Sequence, residues 1–154
     1  MAATTATQTQ GTGMAAPPQG LRFGHVAFRV RDFEASIRWY AEAFGAREAY
    51  RANKDDGSPQ LVYVEFAPGQ FVEFFPDGKN PIETPRDPIG YGHYCLLVDD
   101  LDATLAHLAT MGVAPANPPR TGRAGQKLAF ISDLDGNRIE LMEIPPESPI
   151  YRAP

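Results

Sequence analysis

The sequence predicts an α+β fold of two tandem βαβββ modules, forming a curved mixed sheet around a central cavity with the helices outside. Three observations carry this. "GHVAFRVRDF" from Gly24 returns as "GHYCLLVDDL" from Gly92, an offset of 68 residues. "GQFVEFFP" from Gly69 returns as "GNRIELME" from Gly136, an offset of 67. Each first phrase runs on into an aspartate followed by apolar residues at helical spacing. Self-similarity at a nearly fixed offset marks a repeated supersecondary unit.

The opening "MAATTATQTQGTGMAAPPQG", residues 1–20, is small, polar and rich in Gly and Pro. Such a segment buries too little surface to offset its chain entropy, so it is expected as a tail. It has no positive n-region and no apolar h-region, so it does not read as a secretory signal. The first module is expected over 21–75. Its first strand alternates Val26, Phe28 and Val30 on one face with His25, Ala27 and Arg29 on the other. Asp32 caps a helix whose apolar face is Phe33, Ile37, Tyr40 and Phe44, and Gly45 ends it. Two further strands fit before "FVEFF", one of them "LVYVEF" at 61–66.

Residues 76–90, "PDGKNPIETPRDPIG", are turn-rich and are expected to link the modules. The second module, 91–144, repeats the order. A strand carries His93, Cys95 and Leu97 on one face, Asp100 caps a helix faced by Leu101, Leu105 and Leu108, and Gly112 ends it. "KLAFIS" at 127–132 echoes "LVYVEF", and "RIELM" closes the module. Residues 145–154 are expected as an irregular tail because their prolines cannot extend a ladder.

Alternation also places the chemistry. Val72 and Phe74, with Ile139 and Leu141, form the apolar face of the last strands, which leaves Glu73 and Glu140 on the face that carries His25 and His93. A lone inward histidine is commonly a hydrogen-bonded core residue, and a lone strand glutamate commonly faces solvent. Two His and two Glu at matched positions of a repeat point instead to a site for a divalent first-row metal.

The bulk numbers exclude other classes. At 154 residues and 43% apolar, the chain has a core but no apolar run that spans a bilayer. A net charge of -5 offers no basic stripe for nucleic acid. The single cysteine, Cys95, forms no internal disulfide, and cytoplasm is the expected compartment. The expected partner is a small-molecule substrate, with no nucleic acid and no membrane.

With "GHVAFRV" and "GHYCLLV" opening the modules, "FVEFF" closing the first and "DLDGNRIELME" closing the second, residues 22–144 resemble the vicinal oxygen chelate superfamily. That superfamily includes glyoxalase I, methylmalonyl-CoA epimerase, extradiol dioxygenases, and bleomycin- and fosfomycin-resistance proteins. The resemblance implies that His25, Glu73, His93 and Glu140 are the four metal ligands, and that the chain is a homodimer whose site is built within one chain or shared between two. It implies Ni, Zn, Co or Mn as the metal, or Fe(II) for a dioxygenase.

Four protein ligands on a six-coordinate ion leave two neighbouring positions for two oxygens of one substrate, with none left for dioxygen. An extradiol dioxygenase resembles a two-His, one-carboxylate set, and Glu73 as a fourth ligand argues against it. Drug-sequestering relatives generally lack the complete set, and methylmalonyl-CoA epimerase has Gln where Glu73 stands. The reading that remains is a glyoxalase I-like isomerase or lyase. In it the ion stabilises an enediolate and a carboxylate shuttles the proton, Glu140 being the base and Glu73 the steadier ligand. A ferrous dioxygenase and a non-catalytic resistance-type binder are the alternatives. Use of glutathione is set apart by two departures. Glu42 stands where the family has an arginine, and "FFPDGKNP" replaces its asparagine-tryptophan stretch.

Arg29 shares the His25 face and is expected either to bind an anionic substrate or to pair with a nearby acid. Phe71, Phe75 and Met142 share the glutamate faces and are expected as an apolar pocket wall or as plain core. Cys95 is expected near the metal or simply packed, and His107 in solvent. The loops "KDDG" (54–57) and "PPRTGRAG" (118–125) are long enough to cover a substrate.

Overall fold

The computed structural model describes residues 22–80 and 89–151. The expected tail at 1–20 and the linker residues 81–88 lie outside the described residues. The first module runs β1 (His25–Arg29), α1 (Phe33–Phe44), β2 (Arg47–Asn53), β3 (Pro59–Ala67) and β4 (Gln70–Phe75). The second runs β5 (Tyr94–Leu97), α2 (Leu101–Thr110), β6 (Arg120–Thr121), β7 (Lys127–Ser132) and β8 (Arg138–Glu143), followed by a 3-10 turn at Pro149–Tyr151. This is the α+β architecture expected of two βαβββ modules. Its mixed sheet is realised as two four-stranded sheets, ordered β1-β4-β3-β2 and β5-β8-β7-β6. In each, the first strand pairs parallel with the last, and the remaining pairs are antiparallel.

Local chemistry sets the helix ends. Asp32 and Asp100 each accept a hydrogen bond at 2.9 Å from the backbone N–H three residues on, at Ala35 and Ala103. Gly45 closes α1 with φ of 66°, and its N–H donates to the Ala41 carbonyl at 2.9 Å.

One core runs through both modules. Val30, Val62, Val64 and Phe74 of the first join Leu101, Leu108, Ile139 and Leu141 of the second, all fully buried. The buried face of α1 differs from the expected stripe. Phe33 and Tyr40 are buried as expected, but Ser36, Trp39 and Ala43 join them, while Ile37 and Phe44 are only partly covered. The cause is a second neighbour: α1 packs on its own sheet and also meets the second module, where the Tyr40 hydroxyl is 2.8 Å from that of Tyr94. On α2, Leu101 and Leu108 are buried and Leu105 partly so. His107 is exposed, and its Nε2 bonds the Glu42 carbonyl at 2.8 Å. Among the described residues no helix is long and apolar enough to cross a membrane.

Candidate metal centre in two halves

Strand register brings each histidine to its glutamate. Ala27 lies opposite Glu73 across the parallel β1–β4 pair, so His25, two residues earlier on the same face, reaches the carboxylate. Its Nε2 is 3.2 Å from Glu73 Oε2. Cys95 lies opposite Glu140 across β5–β8 in the same way, and His93 Nε2 is 3.0 Å from Glu140 Oε2. His93 stands one residue before β5 rather than inside it. Both glutamate side chains are largely covered, at 8% and 14% exposed, while the histidines keep 39% and 37%. Each half-site is therefore a sunken carboxylate beneath an imidazole that faces outward.

An aromatic ring braces each imidazole. Tyr63 lies opposite Glu73 on β3, and Phe130 opposite Glu140 on β7. His25 meets Tyr63 edge to face at 5.3 Å and 88°, and His93 meets Phe130 at 5.2 Å and 81°. Sequence reasoning passed over this pair, although the second repeat offset aligns Tyr63 with Phe130. The rings differ in one respect: only Tyr63 has a hydroxyl, and a hydrogen bond to Glu73 pushes that phenol above its ordinary range.

Among the described residues, no group of three or more His, Cys, Asp or Glu is placed to hold a metal ion. The chain brings the four expected ligands together as two pairs, not as one quartet. The pairs do fit a divalent ion as fragments. Neighbouring ligands with bonds of about 2.1 Å at right angles lie about 3 Å apart, which is the Nε2–Oε2 spacing in both. Imidazole with carboxylate is also a donor set that first-row metals accept.

The expected substrate residues fall differently. Arg29 is ion-paired to Asp77, and its guanidinium lies 5.5 Å from the Phe75 ring centre, which is the acid-paired alternative. Phe71 and Phe75 are partly buried on the Glu73 face, and Phe71 meets Tyr63 edge to face at 6.0 Å. Met142 is buried on the Glu140 face. Cys95 is exposed as a residue, yet partial burial of its thiol, with the Glu140 charge beside it, pushes the thiol up to about 12.

The "DLDGN" stretch does structural work outside the half-sites. Asp133 accepts from the backbone of Asp135 (3.0 Å) and Asn137 (2.8 Å), from Asn137 Nδ2 (2.8 Å) and from the Tyr40 hydroxyl (2.9 Å). Asp135 accepts from the Arg31 backbone N–H at 3.1 Å. The motif thus shapes the turn that delivers β8, and with it Glu140, and ties that turn to the first module. Burial, with Tyr94 and Asp133 alongside, pushes the Tyr40 phenol well above its ordinary range.

Comparison with known proteins agrees with this architecture. The family model of the Glyoxalase/Bleomycin resistance protein/Dioxygenase superfamily matches residues 22–141. A lactoylglutathione lyase of Pseudomonas aeruginosa is 27% identical over 145 residues, covering 79% of this chain and 81% of its own. A mitochondrial methylmalonyl-CoA epimerase of Dictyostelium discoideum is 28% identical over 129 residues, covering 79% and 78%. The chain spans less than half the length of the plant relatives that it also matches. Among solved structures, a glyoxalase family protein from Enterococcus faecalis superposes with a TM-score of 0.68 at 22% identity, covering 79% of this chain and 97% of that one. The repeat, the two-sheet architecture and the match over most of its length place the chain in the Glyoxalase/Bleomycin resistance protein/Dioxygenase superfamily.

Proposed function

We propose that the chain is a divalent-metal-dependent isomerase or lyase acting on a small compound with two vicinal oxygens, and that its site is completed between two copies. His25 and Glu73 of one protomer, together with His93 and Glu140 of the other, hold the ion. The observation that carries this reading is the pair of matched His–Glu spacings, 3.2 and 3.0 Å, on two open sheet faces of one chain. A nearly buried carboxylate such as Glu73 is costly to leave without a partner, and a protonated imidazole or a metal ion each answers that cost. Tyr50 and Leu97, 59% and 56% exposed, are apolar residues that assembly would cover.

The ion, when bound, polarises the substrate's two oxygens as a Lewis acid. The chain's own residues do the rest. Glu140 takes a proton from the carbon beside the carbonyl and returns it to the neighbouring carbon. Phe130 holds the His93 imidazole in place, as Tyr63 holds His25, and the Tyr63 hydroxyl keeps Glu73 oriented as the steadier ligand. Phe71 and Met142 border the carboxylates with apolar surface that limits water.

The similarity to a lactoylglutathione lyase and to a methylmalonyl-CoA epimerase supports this class. Its test is metal analysis of protein purified without added ions, followed by solvent-deuterium exchange into candidate hydroxyketones. Nickel, cobalt, zinc or manganese together with exchange is the expected result. Oxygen consumption with a catechol, or ligand binding without any metal, would replace it with a dioxygenase or a binding protein.

A further inference from the structure

The open face of the second sheet carries a feature that the first lacks. Arg120 pairs in register with Leu128, and Arg138 with Ser132. Partners in an antiparallel ladder share a face, and alternate residues of one strand do too. Arg120, Leu128, Phe130, Arg138 and Glu140 therefore project from one side of the sheet. Arg120, Arg138, Phe130 and Asn117 line a cavity of about 250 Å³ on that side. The Arg138 guanidinium carbon lies 3.9 Å from the centre of the Phe130 ring, the same ring that braces His93. Stacking on a ring face fixes the plane of a guanidinium while leaving its N–H edges free to donate.

These two arginines are unlike the others on the sheets. Arg29, Arg47 and Arg51 each pair with an aspartate or glutamate. Among the described residues neither Arg120 nor Arg138 forms a salt bridge or a side-chain hydrogen bond, although Glu140 stands two residues from Arg138. The repeat sharpens the contrast. The offset that aligns Glu73 with Glu140 puts Phe71 at the position of Arg138, and the first-sheet partner of Leu61 is Ala52, where Leu128 has Arg120. At these two positions the first half-site thus has an aromatic and a small residue, and the second has two arginines.

We propose that Arg120 and Arg138 form an anion subsite beside the His93–Glu140 half-site, taking a carboxylate or phosphate group carried by the substrate. This deepens the reading of the site given above by naming the charge of one end of the substrate. The two guanidiniums reach the shared cavity from β6 and β8, the strands on either side of β7, and the amide of Asn117 on the cavity wall supplies a further donor. Planar forks of this kind engage two oxygens at once, which suits either anion.

The experiment needs no metal, so it separates this inference from the metal reading. Chelator-treated full-length protein is titrated with inorganic phosphate and, separately, with acetate, while the arginine Nε–Hε resonances are followed by NMR. The expected result is saturable movement of the Arg120 and Arg138 signals with at least one anion. Arg138→Gln and Arg120→Gln are each expected to weaken that binding by about tenfold or more, the usual loss for a charge-assisted hydrogen bond. Tighter phosphate than acetate assigns a phosphoryl group, and the reverse a carboxylate. Arg138→Lys keeps the charge without the fork and is expected to fall between wild type and Arg138→Gln. Signals that move only in proportion to ionic strength with both anions would overturn the subsite, as would folded glutamine variants that bind like wild type. Should a glutamine variant fail to fold, the wild-type titration alone decides.

Discussion

His93 Nε2 lies 3.0 Å from Glu140 Oε2, nearly the separation that His25 keeps from Glu73 one module earlier. The repeat has thus copied a geometry as well as a phrase. In both modules a parallel first-to-last strand pair sets the glutamate two residues along from its histidine, and an aromatic ring on the next strand braces the imidazole.

The two members of that pair have different expected roles, and substitution separates them. His93→Ala or His25→Ala removes a ligand and is expected to abolish metal retention on gel filtration, read by elemental analysis. Glu140→Gln keeps an oxygen donor but no base. It is expected to lower turnover by about 10²–10⁴-fold, with a smaller loss of metal. Normal turnover in Glu140→Gln would remove Glu140 as the base.

Tyr40 joins the modules through its hydroxyl, 2.8 Å from Tyr94 and 2.9 Å from Asp133. Tyr40→Phe leaves the buried ring packing in place and removes only those bonds, so denaturant unfolding is expected to show a loss of about 1–3 kcal/mol. An unchanged midpoint would mean that the modules are held by apolar contact alone.

Gly45 sits at φ of 66°, where a side chain is strained although open space surrounds it. Gly45→Ala is expected to cost about 1–2 kcal/mol in thermal or urea unfolding through backbone strain rather than steric clash. A stabilised variant would contradict the left-handed cap.

Glu143 links β8 to the start of α2. Its carboxylate accepts from the Leu101 backbone N–H at 2.9 Å and lies 3.2 Å from Lys127 Nζ, and these bonds hold it below the usual carboxylate range. A depressed folded value gives stability that is present above the unfolded carboxyl pKa and is lost as pH falls through the folded one. The Tm of Glu143→Gln is therefore expected to lie below wild type at pH 7, with the gap closing on acidification. A gap that stays constant down to pH 3 would contradict the assignment.

Much of this was legible because strands report which way residues point. Period-two alternation separated His25 and Glu73 from Val26 and Val72, and the repeat offset identified the equivalent pair. The buried face of α1 was less legible, because Trp39 lies near the second module, lining one cavity with Val113 and Ser132, and local periodicity does not encode such a neighbour. Arg29 illustrates the same limit, since its neutralisation by Asp77 depends on how the chain leaves β4. How the two His–Glu pairs relate to each other was the least legible step. Sequence symmetry relates the two halves but does not say whether the halves that meet belong to the same chain.

Complementation tests that step directly. When His25→Ala and His93→Ala chains are co-refolded in equal amounts, random pairing makes about half the dimers mixed, and each mixed dimer has one site with both defects and one with none. The account predicts that the mixture regains about a quarter of the wild-type metal and turnover, although neither variant alone retains either. A mixture that holds no more metal than its separate components, under conditions where exchange of chains is demonstrated, would contradict a centre shared between two copies.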